Sequence, residues 1–165
     1  MFREILVPLD GTPAAEEALL WAARLARSCG AHLEIARVVQ PMPQGAMSLE
    51  ETARARCEQI RQAERYLTDI GGRLRAEGVR ADWDVVPGEA ARGALRCAAD
   101  IGADLIVLRS AAGAGGSVQD KVIACARCPV LIVPAAVAAS SARPAEPWTS
   151  DEALIADTAP NAAAP

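Results

Sequence analysis

The chain has 165 residues and a formal net charge of −4, and 52% of its residues are hydrophobic although only 3% are aromatic. The length fits one domain with a short extra segment, since domains typically run to about 100–150 residues. The weakly acidic charge gives no reason to expect a nucleic-acid or membrane partner. The start of the chain does not resemble a secretory signal, and no apolar run approaches ~20 residues. We therefore predict a cytoplasmic protein.

The first predicted elements are a buried strand and a helix joined by a turn. An apolar run at residues 4–10 ends in Asp10-Gly11-Thr12-Pro13, a sequence typical of a turn after a strand. Thr12 can cap a helix and Pro13 suits its first position, and apolar residues then recur at three- and four-residue spacing until Gly30. We therefore predict an amphipathic helix that ends at Gly30.

Strands and helices then alternate as far as residue 133. We predict strands at 32–39, 81–86, 104–108 and 130–133, and helices at 49–77, 89–101 and 117–126. The long helix carries an apolar stripe that predicts one buried face, formed by Ala53, Cys57, Ile60, Leu67, Ile70 and Leu74. Strict alternation and continuously apolar strands predict an α/β fold: a doubly wound, Rossmann-like, five-stranded parallel sheet with helices on both faces.

The composition changes after residue 134. We assign residues 1–134 to one domain and residues 135–165 to a flexible C-terminal tail rich in Ala and Pro. Within the tail, Trp148–Ile155 holds the only concentrated apolar content, and Thr149 or Ser150 could cap a helix there. Two interpretations stay open: a short segment that docks on a protein partner, and an ordinary disordered tail.

Five cysteines are spread through apolar segments, and we expect them to be reduced, buried thiols. Cys125 and Cys128 have the spacing of a redox or zinc pair. The chain has no second pair, however, and His32 is its only histidine. We therefore expect structural thiols and no metal site.

Three segments, in order and with suitable spacing, resemble the universal stress protein family. They are the opening strand with Asp10-Gly11, the segment Gly102–Val107, and Ser117–Val122 followed by Cys128–Val133. The match covers about residues 1–134. The resemblance implies a sheet of strand order 3-2-1-4-5, a homodimer and, in one branch of the family, an ATP site with an aspartate after the first strand and a glycine-rich loop after the fourth.

The loop after the fourth strand departs from the pattern of the ATP-binding branch. Arg109 and Ala112 stand where that pattern has glycines, and only residues 113–115 fill a spacer of nine, so the loop is about six residues short. The candidate residues of this degenerate nucleotide or anion site are Asp10, Arg109, Gly113, Gly115, Gly116 and Ser117. We predict weak ATP binding or none, because glycines let a loop approach a triphosphate closely.

Each candidate residue also has a purely structural interpretation. Gly113–Ser117 could present backbone N–H groups to an anion, or they could form a flexible, shortened connection. Asp10 could hydrogen-bond a nucleotide in the crevice where the strand order reverses, or it could organise its own turn. Arg109 could supply charge to a phosphate at the N-terminus of the last helix, or it could simply be solvated. His32 lies at the opposite end of the sheet, and Asp82 and Asp84 read as solubility residues, so we expect no enzymatic activity.

The two edge strands differ in charge. The third strand carries aspartates that protect an open edge, whereas Val130, Leu131, Ile132 and Val133 carry no charge. We therefore predict a homodimer through the last strand, and the competing cover for this edge is the chain's own tail. The favoured function is a binding and association module in the stress response without a reaction of its own, and the alternative is a nucleotide-binding switch or a slow ATPase with a reduced phosphate loop.

Overall fold

The computed structural model describes residues 1–41, 48–110 and 118–134, apart from the side chains of Pro13 and Ala14. In these ranges strands and helices alternate strictly: β1 (Glu4–Leu9), α1 (Pro13–Cys29), β2 (His32–Val39), α2 (Leu49–Ala76), β3 (Arg80–Pro87), α3 (Ala90–Asp100), β4 (Leu105–Arg109), α4 (Val118–Cys125) and β5 (Val130–Val133). The strands form one parallel sheet of order β3-β2-β1-β4-β5. The predicted fold class and strand order are confirmed.

Helix α1 begins and ends at the residues that the sequence predicts. The Thr12 hydroxyl accepts a hydrogen bond from the Ala15 N–H at 3.2 Å, and Gly30 ends the helix in the left-handed conformation, with φ of 65°. Glycine adopts this conformation without the steric cost that a Cβ brings. The Thr12 cap places the start of α1 beside the carboxyl end of β1.

Helices cover both faces of the sheet and create two apolar cores. One core joins α1 and α2 to side chains such as Val7, Ile35 and Val107, and the other joins α3 and α4 to Leu6 and Ile106. All five of these side chains are completely buried. Burial on both faces explains why the central strands are apolar at consecutive positions.

Only the second half of α2 is buried, which corrects the predicted stripe. Ala53 and Cys57 are exposed, and the buried positions begin at Ala63. The helix has 28 residues and a length of ~42 Å, whereas the eight residues of β3 span only ~26 Å. The first half of α2 therefore extends past the strand that its second half covers.

The prediction of uniformly buried thiols is also wrong. All five cysteines are free, but only Cys97 is buried, while Cys57 and Cys125 are exposed. Burial raises the pKa of the Cys97 thiol to about 12, so this thiol is unreactive at neutral pH. Among the described residues, no helix is long and apolar enough to cross a membrane.

Candidate functional site

A crevice opens at the carboxyl ends of β1 and β4, where the strand order reverses. Such a reversal separates the loops that leave adjacent strands and leaves room for a ligand. The cavity has a volume of about 470 Å³, and its lining includes Asp10 after β1, Arg37 on β2, Arg109 at the end of β4 and Val118 at the start of α4. The crevice that the sequence predicts is therefore present.

Asp10 lies at the mouth of this crevice and is exposed. Its Oδ1 atom accepts hydrogen bonds from the Thr12 N–H at 2.8 Å and from the Thr12 hydroxyl at 2.6 Å. The intervening Gly11 has a φ of 86°, which L side chains rarely adopt. Asp10 thus organises the turn that connects β1 to α1.

Arg109 is already engaged within the chain. Its Nε atom donates to Oε2 of Glu17 on α1 at 2.8 Å, and the two side chains are 25% and 29% exposed. The structure also makes Arg109 the last residue of β4 instead of the first residue of the loop. Its positive charge is therefore neutralised by Glu17, which weakens the case for Arg109 as a phosphate ligand.

Arg37 is a crevice residue that the sequence analysis missed. Its guanidinium lies against the Gly11 turn, where a Cβ on Gly11 would come within 2.8 Å of the Arg37 Cζ. It also lies 5.1 Å from the ring centroid of Tyr66, whose hydroxyl donates to Glu16 at 3.1 Å. Within the described residues Arg37 has no carboxylate partner. The available signal was an arginine within the apolar carboxyl half of β2, Ile35–Val39.

The remaining candidates of the loop lie outside the described residues. These are Gly113, Gly115, Gly116 and Ser117, together with Ala112 at the second glycine position. The structure therefore brings Asp10 and Arg109 to one cavity and does not test the other four candidates.

His32 lies at the opposite end of the sheet, as predicted. Its Nδ1 atom is 3.0 Å from Glu4 on β1 and its Nε2 atom is 3.0 Å from Asp82 on β3, and Arg75 also pairs with Asp82. Both ring nitrogens are thus occupied, and Asp82 joins three elements instead of serving only solubility. In the part of the chain that the structure describes, no three His, Cys, Asp or Glu side chains are grouped to hold a metal ion.

Strand β5 forms a second candidate surface at the edge of the sheet. The Ile106 N–H donates to the Pro129 carbonyl at 3.0 Å and the Ser110 N–H to the Val133 carbonyl at 2.8 Å. Because backbone direction alternates along a strand, the backbone groups of Val130 and Ile132 point away from β4. Of the four residues predicted at the dimer edge, Val133 is only 4% exposed and belongs to the chain's own core.

Comparisons with known proteins agree with this architecture. The model of the universal stress protein family matches residues 1–134. A Thermus aquaticus protein named universal stress protein in QAH/OAS sulfhydrylase 3′ region is 31% identical over 141 residues, which cover 81% of this chain and 99% of that protein.

Two solved structures extend the comparison. A universal stress family protein from Burkholderia pseudomallei is 32% identical, with a TM-score of 0.64, and the match covers 79% of this chain and 95% of that one. The universal stress protein from Archaeoglobus fulgidus in complex with dAMP is 25% identical, with a TM-score of 0.60 and coverage of 79% and 96%.

Proposed function

The chain belongs to the universal stress protein family, and from this premise we propose that it acts in the stress response as a homodimeric association module without effective ATP binding. The outer edge of β5, which pairs with no other strand in the part of the chain that the structure describes, is the observation that carries the proposal. Val130 and Ile132 direct their backbone groups away from the sheet, and no residue of Val130–Val133 is charged. Such an edge favours pairing with another strand.

A second copy of the chain suits this edge. Antiparallel pairing of β5 with its counterpart would place the same residues on both sides of a two-fold axis and would continue the sheet. Leu131 on β5 and Ile123 on the preceding helix are 40% and 50% exposed, so apolar surface accompanies the unpaired backbone. Burial of that surface would stabilise the dimer.

Analytical ultracentrifugation tests the dimer. We expect a species of twice the mass of one chain at tens of micromolar protein. A dissociation constant near 10 μM, which corresponds to about −7 kcal/mol, would give this result. A monomer throughout this range would contradict the association module.

The crevice supports the second half of the proposal. Arg109 puts a side chain where the ATP-binding pattern has a glycine, and its charge is already paired with Glu17. Asp10 already accepts two hydrogen bonds from Thr12 through one oxygen. The shortened loop after β4 also removes about six residues, or up to ~20 Å of extended chain, that could wrap a triphosphate.

Isothermal titration with Mg-ATP tests this half separately. We expect no dissociation constant below ~10 μM, or about −7 kcal/mol. Tight binding to the wild-type chain that Asp10→Ala weakens would place ATP in the crevice and would favour the nucleotide-binding switch. The dimer and the nucleotide titration can fail independently, so each half of the proposal has its own readout.

The dAMP complex of the Archaeoglobus fulgidus neighbour favours a second candidate, the binding of a nucleoside monophosphate. A single phosphate needs fewer backbone donors than a triphosphate, and Arg37, which has no carboxylate partner among the described residues, lines the crevice. Titration with dAMP and AMP should then show binding that Arg37→Ala removes and that Arg27→Ala, on the far end of α1, leaves unchanged. Equal heats for the wild type and Arg37→Ala would count against this candidate.

We also propose that the chain catalyses no reaction. Its only histidine is held between Glu4 and Asp82 at the end of the sheet opposite the crevice. General base catalysis needs a base within hydrogen-bond reach of the reacting group. Phosphate release from Mg-ATP above that of a buffer blank, and lost in Asp10→Ala, would contradict this proposal.

A further inference from the structure

A groove larger than the crevice runs along α3, on the face of the sheet that α3 and α4 cover. Its volume is about 880 Å³, and its lining begins near Pro87–Glu89, at the carboxyl end of β3, and reaches the segment after α4. The inner lining is apolar and includes Leu95 and the completely buried Ile106. The groove thus offers apolar contacts along the whole length of a helix.

Three arginines border the groove: Arg92 and Arg96 on α3, and Arg127 after α4. Among the described residues none of these guanidinium groups has a carboxylate partner, and Arg96 donates only to the Pro87 carbonyl, at 3.4 Å. The acidic residue of the lining, Glu89, is already paired with Lys121 at 2.6 Å. The groove therefore combines an apolar interior with an uncompensated positive border.

The chain carries a segment of matching chemistry. Residues 135–165 contain four carboxylates and one arginine, so three of the four net negative charges of the chain lie in this segment. Three of these carboxylates, Asp151, Glu152 and Asp157, accompany Trp148, Leu154 and Ile155 within ten residues. We propose that Trp148–Asp157 docks in the groove along α3, with its apolar side chains inside and its carboxylates on the three arginines.

The length of the connection permits this contact. Residue 134 follows β5 at the carboxyl edge of the sheet, where one end of the groove, at Pro87–Glu89, also lies. The fourteen steps from Pro134 to Trp148 span up to ~45 Å, whereas the four strand spacings from β5 to β3 amount to only ~19 Å. Attachment to the same chain also raises the local concentration of the segment, on the order of mM for short linkers.

Fluorine NMR of the full chain labelled with 5-fluorotryptophan tests the docking. The Trp148 resonance is assigned with Trp148→Phe, and a synthetic peptide of residues 145–159 supplies the resonance of an undocked tryptophan. We expect the chemical shift of Trp148 in the full chain to differ from that of the peptide. Reversal of two groove charges, in Arg92→Glu/Arg127→Glu, should move the Trp148 resonance to the peptide position, and 1 M salt should do the same because it shortens the Debye length to ~3 Å.

Matched variants separate docking from damage to the fold. Arg27→Glu/Arg56→Glu makes the same charge change on α1 and α2 and should leave the Trp148 resonance in place. Asp151→Arg/Glu152→Arg added to the groove reversal should restore the docked position. Asp151→Asn/Glu152→Gln changes only the segment and should also release Trp148, while unchanged Trp21 and Trp83 resonances report an intact domain.

Three results would overturn the proposal. The first is a wild-type Trp148 resonance that already coincides with the peptide, and the second is an equal shift in the groove and control variants. The third is a docked signal that disappears on dilution together with the dimer, because this would assign the occupant to a second copy instead of the same chain.

Discussion

The two edge strands of the sheet are treated in opposite ways. On β3 the Gly88 N–H donates to the Val39 carbonyl at 3.0 Å, so the residues that alternate with Gly88, among them Ala81 and Pro87, direct their backbone groups outward. Arg75 of α2 donates to the Ala81 carbonyl at 2.7 Å, and Pro87 has no N–H to offer. The outer side of β3 is therefore partly closed.

Strand β5 has no such protection in the described residues. Among these residues no arginine donates to the outward carbonyls of Val130 and Ile132, and neither position is a proline that would remove an outward N–H. Strand β5 also carries no charge. One sheet thus has an edge that discourages pairing and an edge that favours it. The difference shows that a side chain from a neighbouring helix, as well as the strands themselves, determines which edge of the sheet can pair with another strand.

Proline substitution within β5 should break the comparison most strongly. Ile132→Pro removes an outward N–H, so we expect a folded monomer by analytical ultracentrifugation, whereas Ile132→Ala keeps the N–H and should remain dimeric. Leu131→Pro removes an inward N–H and leaves a β4 acceptor unpaired, at a cost of about 1–3 kcal/mol in the free energy of unfolding. Dimeric Ile132→Pro would show that the contact lies elsewhere.

The packing of α2 on β3 should respond to a single methyl group. A Cβ on Gly71 would overlap the ring of Trp83, whereas a Cβ on Gly72 would meet open space. In urea unfolding we expect Gly71→Ala to lose about 1–3 kcal/mol through overpacking. Gly72→Ala should instead gain about 0.5–1 kcal/mol, because alanine favours the helix more than glycine does. Equal effects of the two changes would contradict this view of the β3 edge.

Removal of Arg75 should open the β3 edge. Besides its bond to Ala81, Arg75 pairs with Asp82 and its Cζ lies 4.6 Å from the Trp83 ring centroid. Because the side chain is half exposed, we expect Arg75→Ala to cost only about 1–2 kcal/mol. Oligomers larger than a dimer should also appear in ultracentrifugation. Arg73→Ala, which loses only a 3.8 Å contact with Glu16, serves as the control and should change neither readout.

The carboxylates of β3 should slightly lower the free energy of unfolding through the buried Glu34 on β2. Glu34 is buried to 9% exposure, and burial, with further contributions from Asp82 and Asp84, raises the pKa of its carboxyl above the usual 4.5. The folded state therefore binds this proton more tightly than the unfolded state, and the associated stability is lost as the pH rises through the raised pKa. Glu34→Gln should increase the free energy of unfolding at pH 7, and the gain should vanish below the usual pKa. A gain that persists at pH 3 would exclude this cause.

Local patterns predicted most of the fold because they act over a few residues. Thr12 and Gly30 cap α1 as expected, and the continuous apolar runs become the central strands. The resemblance to the universal stress protein family supplied the strand order. The division at residue 134 and the short loop after β4 stay predictions, because residues 111–117 and 135–165 lie outside the described ranges.

The amino-acid sequence by itself thus determined the elements and their alternation, and the position of the crevice followed from the strand order that the resemblance implied. Only the tertiary structure decided that Arg109 pairs with Glu17, 92 residues away, and that Arg37 lies against the Gly11 turn. It also decided that the first half of α2 stays exposed, because the helix is longer than the strand it covers. Pairings between distant residues depend on the register of the strands and the placement of helices on the sheet, and no local pattern carries that information.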